Sequence, residues 1–316
     1  MTEDLNTPML HMRLPSRGSK ILRRVTKMAL LEYTIDGKVD KVEQAIKRIQ
    51  LGALSPEPLY VCYSGGKDSK VLRRLMEMSG VAHELHYNLT TVDIPSVVRE
   101  ILDDKEVTVD KARYPDGKQK TMWNLIVKKR IPPTRICRYC CAELKEASGT
   151  GRICVTGVRA SESTRRAAQA AQAKIFGKEV ALIHNMDNDE SRRQIEQCYR
   201  TQKTLINPII DWTDEDIWEF SKVENIKQNP LYIQCGGTKR RLGCVLCPMA
   251  RLDDKLNDIK DYPRIAESYI NAFDRMIAAM PNKPTWQSGE EVFDWWVYHI
   301  DDAKTDENQL SIDDIE

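Results

Sequence analysis

The sequence has no apolar run long enough to cross a lipid bilayer, although 41% of its 316 residues are hydrophobic. Its N-terminal region carries several basic side chains but no apolar segment of the signal-peptide type, and this predicts a cytoplasmic protein. In such a compartment the nine cysteines are not expected to form disulfides. Several of them stand in close clusters, which points to metal binding or redox chemistry.

The chain also has little net charge, only +1 at pH 7, but its charges are unevenly distributed. The N-terminal region contains the basic residues Arg13, Arg17, Lys20, Arg23, Arg24 and Lys27. The C-terminal tail contains the acidic residues Asp301, Asp302, Asp306, Glu307, Asp313, Asp314 and Glu316. The tail is predicted to be a solvated, disordered end. The basic stretch is either a similar end or a binding site for a polyanion.

A glycine-rich stretch at residues 64–69 lacks the four residues that separate the first glycine from Gly-Lys in the common P-loop. The apolar run before it is typical of a strand, and Val71, Leu72 and Leu75 recur after it at helical spacing. A strand, a glycine turn and a helix together place backbone N–H groups on a phosphate. The alternative is an ordinary surface turn. The predicted phosphate-binding residues are Ser64, Gly65, Gly66, Lys67, Asp68 and Ser69.

The residue types in this glycine loop each suit an anion site. Gly65 and Gly66 allow the backbone to approach a phosphate without an intervening Cβ. The two serines add hydroxyl donors, and Lys67 adds a positive charge. Asp68 cannot bind a phosphate directly, so it either caps the helix or holds a metal ion, such as Mg²⁺, that the phosphates share.

The order of predicted elements indicates the fold. Residues 1–20 are predicted to be a loose arm. Helices are predicted at Ala29–Thr34, Val39–Leu51 and Pro95–Leu102, and strands at Val81–Leu89, Val107–Val109 and Ile153–Val158. Strands that alternate with helices predict an α/β fold with a doubly wound parallel sheet. Ligands bind at the carboxyl ends of such strands, where both the glycine loop and Gly157 fall.

A second anion site is predicted directly after the strand that ends near Gly157. Arginines follow this glycine at Arg159, Arg165 and Arg166, and guanidinium groups bind phosphate or sulfate oxygens in pairs. The alternative is an exposed basic start of a helix. The position after a strand of the same sheet favours the anion site.

Two groups of cysteines have the spacing of metal ligands. Cys137 and Cys140 form one C-x-x-C pair, followed by Cys141 and a helix predicted to begin at Ala142, and Cys244 and Cys247 form a second C-x-x-C pair. Two such pairs can complete a four-thiolate site for either zinc or an iron–sulfur cluster. The isolated Cys62 and Cys154 lie in predicted strands and are expected to be small core residues.

These motifs together resemble the phosphoadenosine phosphosulfate reductase family of the adenine nucleotide α-hydrolase-like superfamily. The glycine loop matches the nucleotide loop of this family, and Thr90 to Asp93 match the segment after its second strand. Asn207 to Trp218, with Thr213 as a predicted N-cap, and Asn229 to Tyr232 also fit. The resemblance implies that Cys140, Cys141, Cys244 and Cys247 hold a [4Fe-4S] cluster, with Cys137 as a fifth candidate.

The resemblance divides the chain into three parts. Residues 1–50 would be an arm with helices, 51–250 the nucleotide-binding domain with the cysteines, and 251–316 C-terminal helices and the acidic tail. The chain departs from the reductases because no cysteine follows Cys247, whereas they carry a catalytic cysteine near the C-terminus. This favours relatives such as the DNA phosphorothioation ATP pyrophosphatases.

Three functions therefore stay open. The first is an ATP pyrophosphatase that acts in sulfur modification of a nucleic acid such as DNA, with Lys67, Asp68 and Arg159 as catalytic residues. The second is a reductase of adenylyl sulfates whose thiol comes from another cysteine or a partner. The third is a nucleotide-binding protein without catalysis. The implied cofactors are ATP or an adenylyl sulfate and the [4Fe-4S] cluster, with zinc as the alternative. A sulfur donor such as a cysteine desulfurase is the implied partner, and no membrane is expected.

Overall fold

The computed structural model describes residues 30–34, 37–52, 56–162, 195–198, 203–234, 242–281 and 285–299. The loose arm, the basic N-terminal stretch, the acidic tail, Arg165 and Arg166 all lie outside the described residues. What the sequence predicts for them therefore stays a prediction.

The described strands form a small antiparallel pair and one six-stranded sheet. Their bounds are Leu31–Thr34 (β1), Gly37–Asp40 (β2), Leu59–Cys62 (β3), His83–Asn88 (β4), Val107–Asp110 (β5), Ile153–Val155 (β6), Ile195–Cys198 (β7) and Lys203–Ile206 (β8). The large sheet has the order β5-β4-β3-β6-β8-β7. Its first five strands are parallel, and β7 is antiparallel to β8 at the edge. The predicted α/β fold with a parallel sheet is confirmed.

Helices connect the strands and continue to the C-terminal part. Their bounds are Lys41–Leu51 (α1), Lys67–Ser79 (α2), Pro95–Asp103 (α3), Met122–Lys129 (α4), Tyr139–Leu144 (α5), Asp214–Val223 (α6), Leu231–Gln234 (α7), Leu252–Asp261 (α8), Pro263–Ala278 (α9) and Gly289–Asp294 (α10). None of the helices in these ranges combines the length and the apolar character needed to cross a membrane.

The register of the parallel strands determines where the site can form. Val61 of β3 lies between Leu85 of β4 and Val155 of β6, and it is fully buried. Because these strands are parallel, their carboxyl ends meet at one edge of the sheet. The segments after β3, β4 and β6 therefore come together at this edge, and they are the segments with the predicted site residues.

Local signals in the sequence explain several helix ends. The Asp40 carboxylate accepts hydrogen bonds from the backbone N–H groups of Val42 and Glu43 at the start of α1. Pro95 occupies the first position of α3, where its missing N–H costs no hydrogen bond. At α6, Thr213 and Asp216 form a reciprocal capping box, as the sequence predicts.

Several predicted element bounds are wrong. The strand predicted at Ile153–Val158 ends at Val155, and the one predicted at Val81–Leu89 runs only from His83 to Asn88. Residues 31–34 form a strand rather than a helix, because their backbones pair with residues 37–40. A four-residue segment followed by Asp36-Gly37 suits a strand pair better than a helix. The helix predicted from Val39 begins at Lys41, and the helix predicted from Ala142 begins at Tyr139. Cys140 and Cys141 consequently lie within α5 and not before it.

The C-terminal helices share the hydrophobic core of the sheet domain, since buried residues from Leu30 to Val297 form one connected cluster. The Trp296 ring is fully buried and lies 4.7 Å from the Tyr269 ring. Its Nε1–H donates to the Pro133 carbonyl at 2.6 Å, shortly before the first cysteines. This contact fastens the C-terminal part to the segment that carries the predicted metal ligands.

Candidate nucleotide and thiol site

The glycine loop joins the end of β3 to the first turn of α2. Gly65 has a φ of 70°, and a Cβ there would lie 3.0 Å from Val97 Cγ1, so the loop packs closely against α3. Gly66 precedes the first helical residue without a side-chain cap. Asp68 lies inside the helix, so its proposed role as the helix cap is wrong. The Ser69 hydroxyl instead donates to the Gly66 carbonyl at 2.9 Å.

Four charged side chains form an ion network at the start of α2. Lys67 Nζ lies 3.0 Å from Asp68 Oδ1 and 2.9 Å from Asp214 Oδ1. Arg159 donates from Nε to Asp68 at 2.7 Å and from Nη2 to Asp214 at 2.8 Å. Each cation therefore contacts both carboxylates. Arg159 is only 3% exposed, so it contacts the loop from the protein interior and holds these two carboxylates in place.

Asp214 is the member of this ion network that the sequence did not identify as a site residue. Burial alone would raise the pKa of its carboxyl group, but the hydrogen bonds from Lys67 and Arg159 lower it to about 2. The contacts of α1 help to place Asp214, because Lys41 pairs with Asp216 at 2.8 Å and Arg48 pairs with Asp211. The only local signal for Asp214 is its position directly after the N-cap Thr213.

Gly157 lies against the same helix start. A Cβ at this position would lie 3.3 Å from the backbone carbon and oxygen of Asp68, a contact tighter than side chains normally make. The segment after β6 therefore approaches the glycine loop as closely as its backbone allows. The structure thus brings Gly157 and Arg159 to the predicted phosphate site, while Arg165 and Arg166 lie outside the described residues.

A cavity of about 250 Å³ opens beside the glycine loop at the carboxyl ends of β3 and β4. Its walls include Ser64, Asn88, Asp93 and Lys145. The side-chain oxygen of Asn88 is buried and has no hydrogen-bond partner within the described residues. A buried acceptor of this kind is costly unless a ligand or water satisfies it. Cys62, predicted to be a core residue, is half-buried and also lines the cavity.

The segment after β4 connects this cavity to the second cysteine pair. Asp93 lines the cavity, accepts a hydrogen bond from Thr90 N–H at 2.8 Å and forms an antiparallel bridge with Cys244. The Val245 N–H donates to the Val92 carbonyl at 2.7 Å. Thr91 has a φ of 68°, an unusual value for a β-branched residue, as is found near functional sites. Asp93 is thus shared by the cavity and the cysteines.

The two cysteine segments converge although about a hundred residues separate them in the sequence. Arg135, shortly before Cys137, donates to the carbonyl of Pro248 at 3.2 Å. The thiol of Cys140 is close enough to Cys141, Cys244 and Cys247 for their charges to raise its pKa. Within the described residues, no three Cys, His, Asp or Glu side chains stand close enough together to hold a single metal ion.

The electrostatics of this thiol cluster, Cys140, Cys141, Cys244 and Cys247, favour negative charge on Cys141. A hydrogen bond with Cys140 raises the pKa of Cys140 and lowers that of Cys141, whose sulfur also accepts from Arg138 at 3.6 Å. The charges of Cys244 and Asp93 raise the pKa of Lys145. Lys145 is accessible to solvent, but it stands in the cavity, where surrounding protein atoms limit the screening of its charge.

The donor set suits a thiolate-bound cluster. Soft sulfur ligands bind zinc or iron–sulfur centres, and a cluster needs its ligands farther apart than one ion does. Cys137 lies on the adjoining loop, where its N–H donates to Thr134 Oγ1 at 2.8 Å and its side chain packs against the core. It is a fifth thiol, on the loop that precedes α5.

Several known proteins are similar to this chain in sequence. A profile of the phosphoadenosine phosphosulfate reductase domain matches residues 58–250. A 37.8 kDa uncharacterized protein of Escherichia phage 186 is 30% identical over 175 residues, which cover 50% of this chain and 42% of the phage protein. The chain thus matches less than half the length of that relative. Sulfate adenylyltransferase subunit 2 of Bacteroides thetaiotaomicron is 22% identical, with 81% of this chain and 83% of the subunit covered.

Two solved structures were also found in the comparison. A phosphoadenylyl-sulfate reductase from Candida auris, in complex with phosphate, has a TM-score of 0.41 and 14% identity, with 64% of this chain and 88% of the reductase covered. A tRNA thiolase from Methanococcus maripaludis with its [4Fe-4S] cluster has a TM-score of 0.37 and 11% identity, with 80% of each chain covered.

Proposed function

Because the chain belongs to the phosphoadenosine phosphosulfate reductase family, we propose that it is a sulfur-transfer enzyme that binds an adenylyl nucleotide and a [4Fe-4S] cluster. Its proposed reaction is release of pyrophosphate from ATP in the sulfur modification of a nucleic acid. One observation carries the proposal: Asp93 belongs to both the cavity beside the glycine loop and the backbone bridge to Cys244. An activated nucleotide and a sulfur centre would therefore be neighbours.

The residues of the site have separate roles in this proposal. The cavity holds the adenosine, with the buried oxygen of Asn88 as a hydrogen-bond acceptor for the base amino group or a ribose hydroxyl. The first N–H groups of α2 and the Lys67 ammonium bind phosphates, and Mg²⁺ arrives with those phosphates. Arg159 acts through Asp68 and Asp214, which it holds beside Lys67.

The proposed first step is an attack on the α-phosphorus of ATP by an oxygen of the acceptor. The bond from this phosphorus to the bridging oxygen breaks, and pyrophosphate leaves with the electron pair. Positive charge from Lys67 stabilises the negative charge that develops on the leaving group. The outer sulfur of a persulfide donor then displaces AMP from the adenylylated acceptor. A second thiol cleaves the S–S bond that joins acceptor and donor, which releases the thiolated acceptor and leaves a disulfide between the second thiol and the donor cysteine.

The thiol cluster would hold the [4Fe-4S] centre through Cys140, Cys141, Cys244 and Cys247. When bound, such a centre supplies an electron-rich iron–sulfur site whose properties depend on its hydrogen bonds and on nearby charge. Among the residues around it, Arg138 donates to the Cys141 sulfur and Lys145 places a cation near Cys244 and Asp93. These two cations offset the negative charge of the thiolates.

A second function is favoured by the position of Cys62. Its thiol lines the cavity, so it is a candidate for the missing thiol of an adenylyl-sulfate reductase. In that reaction a thiolate attacks the sulfate sulfur, the nucleotide leaves and a reduced thioredoxin-type partner releases sulfite from the cysteine.

The test is anaerobic purification with analysis of iron, sulfide and zinc, followed by separate incubation with ATP plus nucleic acid and with each adenylyl sulfate plus reduced thioredoxin. Pyrophosphate from ATP, also in a Cys62→Ser variant, supports the first function. Sulfite release that needs Cys62 supports the reductase instead. Nucleotide binding without either product would contradict both reactions and leave a binding protein. One stoichiometric zinc without iron or sulfide would exclude the cluster.

A further inference from the structure

Residues 111–145 form the most basic part of the described chain. This segment contains ten lysines and arginines against two acidic residues, whereas the whole chain has a net charge of only +1. It runs from the end of β5 through α4 to α5, which carries Cys140 and Cys141. We call its basic surface the basic strip, and its members are Lys111, Arg113, Lys118, Lys120, Lys128, Lys129, Arg130 and Arg138.

The loop at the start of the basic strip has an ordered backbone. Tyr114 N–H donates to the Lys118 carbonyl at 2.8 Å, and Lys120 N–H donates to the Ala112 carbonyl at 2.7 Å. The ammonium groups of Lys120 and Lys128 lie 5.4 and 4.7 Å from the centre of the Tyr114 ring. These cation–π contacts hold the loop against the C-terminal end of α4.

The basic strip continues from α4 to the thiol cluster. Lys120 and Lys129 both pair with Glu143 of α5, so a single carboxylate serves two cations. Arg138 stands immediately before α5, is exposed and donates to the Cys141 sulfur at 3.6 Å. The positive surface therefore ends at a sulfur atom of the proposed cluster site.

Most of this positive charge is not neutralised by the protein. Lys111, Arg113, Lys128 and Arg130 are exposed and form no ion pair within the described part of the chain. Like charges gathered in this way repel one another, which favours binding of an anionic partner. In addition, Lys120 and Lys128 share the Tyr114 ring, and Lys120 and Lys129 share the Glu143 carboxylate. These shared contacts hold the lysines in a fixed arrangement, unlike the side chains of an ordinary solvated charge run.

We propose that the basic strip binds the phosphodiester backbone of a nucleic acid and leads it to the thiol cluster. Binding of the nucleic acid depends on the charges of the strip alone. Only its subsequent sulfur modification at the thiol cluster rests on the proposed function. Membrane-binding surfaces usually combine basic and exposed apolar side chains. Within residues 111–145, Ile136 is the single large hydrophobic side chain that is exposed. A nucleic acid therefore suits the surface better than a membrane does.

The experiment measures binding of fluorescently labelled single-stranded RNA and single-stranded DNA to the full-length protein, anaerobically and over a series of salt concentrations. The test variant carries Lys128→Glu and Arg130→Glu. The control carries Lys47→Glu and Lys222→Glu, which change the net charge equally at exposed positions of α1 and α6, near α2. A second test variant, Lys111→Gln with Lys118→Gln, changes the loop without charge reversal.

We expect both test variants to bind at least one of the two nucleic acids about tenfold more weakly or worse, because each loses charge-assisted contacts. The control should bind like the unchanged protein. The slope of log affinity against log salt should also become shallower by about 0.7 for each lost phosphate contact to a single strand. Whichever of RNA and DNA binds more tightly identifies the type of nucleic acid that the basic strip recognises.

Equal binding by the test and control variants would overturn the proposal, as would the absence of binding by the unchanged protein at low salt. Stronger, strip-dependent binding to vesicles of anionic lipid or to polyglutamate would also overturn it. If Lys128→Glu with Arg130→Glu prevents folding, the loop variant decides. Nucleic-acid binding is measured without ATP, so failure of the proposed reaction and failure of the basic strip are separate results.

Discussion

The backbone N–H of Lys67 donates a hydrogen bond to the hydroxyl of Tyr232 at 3.0 Å. Lys67 is the first residue of α2, so this N–H is one of the groups that a phosphate at the glycine loop would use. The same hydroxyl would lie 3.4 Å from a Cβ at Gly66. Tyr232 therefore occupies the edge of the phosphate site, and a nucleotide must compete with it for Lys67.

Tyr232→Phe is expected to tighten binding of a non-hydrolysable ATP analogue by about twofold to tenfold. The phosphate would no longer displace a hydrogen bond with a net value of about 0.5–1.5 kcal/mol. Titration calorimetry measures the affinity, and Tyr298→Phe, at an exposed tyrosine, serves as the control. Weaker binding by Tyr232→Phe would instead mean that the hydroxyl contacts the nucleotide.

Lys67→Ala is expected to weaken ATP binding by tenfold or more, because a charge-assisted contact to phosphate contributes about 1.5–3 kcal/mol. Asp68→Ala should also weaken it, since Lys67 and Arg159 would lose a carboxylate that they share. Thermal unfolding, measured alongside, separates lost affinity from lost folding. Unchanged nucleotide affinity and turnover in both variants would contradict the role of the glycine loop.

Arg159→Lys should already reduce turnover and affinity, because lysine keeps the charge but loses the two-pronged contact with Asp68 and Asp214. Arg159→Ala should be worse and should lower the free energy of unfolding by about 3–5 kcal/mol, as expected when a buried pair loses one partner. The comparison uses nucleotide titration and urea unfolding. If lysine restores full affinity for every nucleotide tested, the planar geometry is unimportant.

Asp214 should make stability depend on acid pH. Its pKa of about 2 in the folded chain lies below the ordinary value of 3.8, so its contribution is complete above about pH 4 and is lost as the pH falls towards 2. Asp214→Asn removes this titration. The difference in unfolding free energy between the two proteins should therefore shrink as the pH falls from about 4 to about 2. Urea unfolding at several pH values measures it, and a constant difference would refute the assignment.

Cys244→Ser is expected to abolish visible absorbance, iron content and activity together in anaerobically purified protein. Cys244 is bridged to Asp93, so loss of this ligand would affect the proposed cluster and the cavity wall at once. Cys62→Ser is the matched control for iron content, because Cys62 lies at the cavity and outside the thiol cluster. A Cys244→Ser protein with full iron and sulfide would exclude this residue as a ligand.

Cys137→Ser decides the role of the fifth cysteine. We expect it to keep iron and sulfide, because the four members of the thiol cluster already complete a cubane. Loss of activity with an intact cluster would indicate that the Cys137 thiol carries sulfur. Loss of iron would instead make it a ligand. Iron analysis and turnover on the same preparation distinguish these results.

The sequence by itself determined the fold class and the location of the candidate site along the chain. Apolar strands that alternate with amphipathic helices can bury their residues on both faces only in a parallel sheet between helices. The glycines of residues 64–69 and the capping pair at Thr213 and Asp216 are local signals, because backbone conformation and capping depend on neighbouring residues. Such features could be predicted without tertiary structure. The short strand at residues 31–34 could not, because only pairing with residues 37–40 decides it.

Only the tertiary structure decided which side chains act together. Asp214 enters the ion network because α1 and the strand order bring residues 208–216 against the start of α2, and no local pattern records this. Cys62 faces the cavity and not the core, because it is the last residue of β3. At the carboxyl ends of the strands, helices no longer cover both faces of the sheet. The approach of Tyr232 to Lys67 joins residues 165 positions apart. Such contacts depend on the packing of distant segments, which sequence periodicity does not encode.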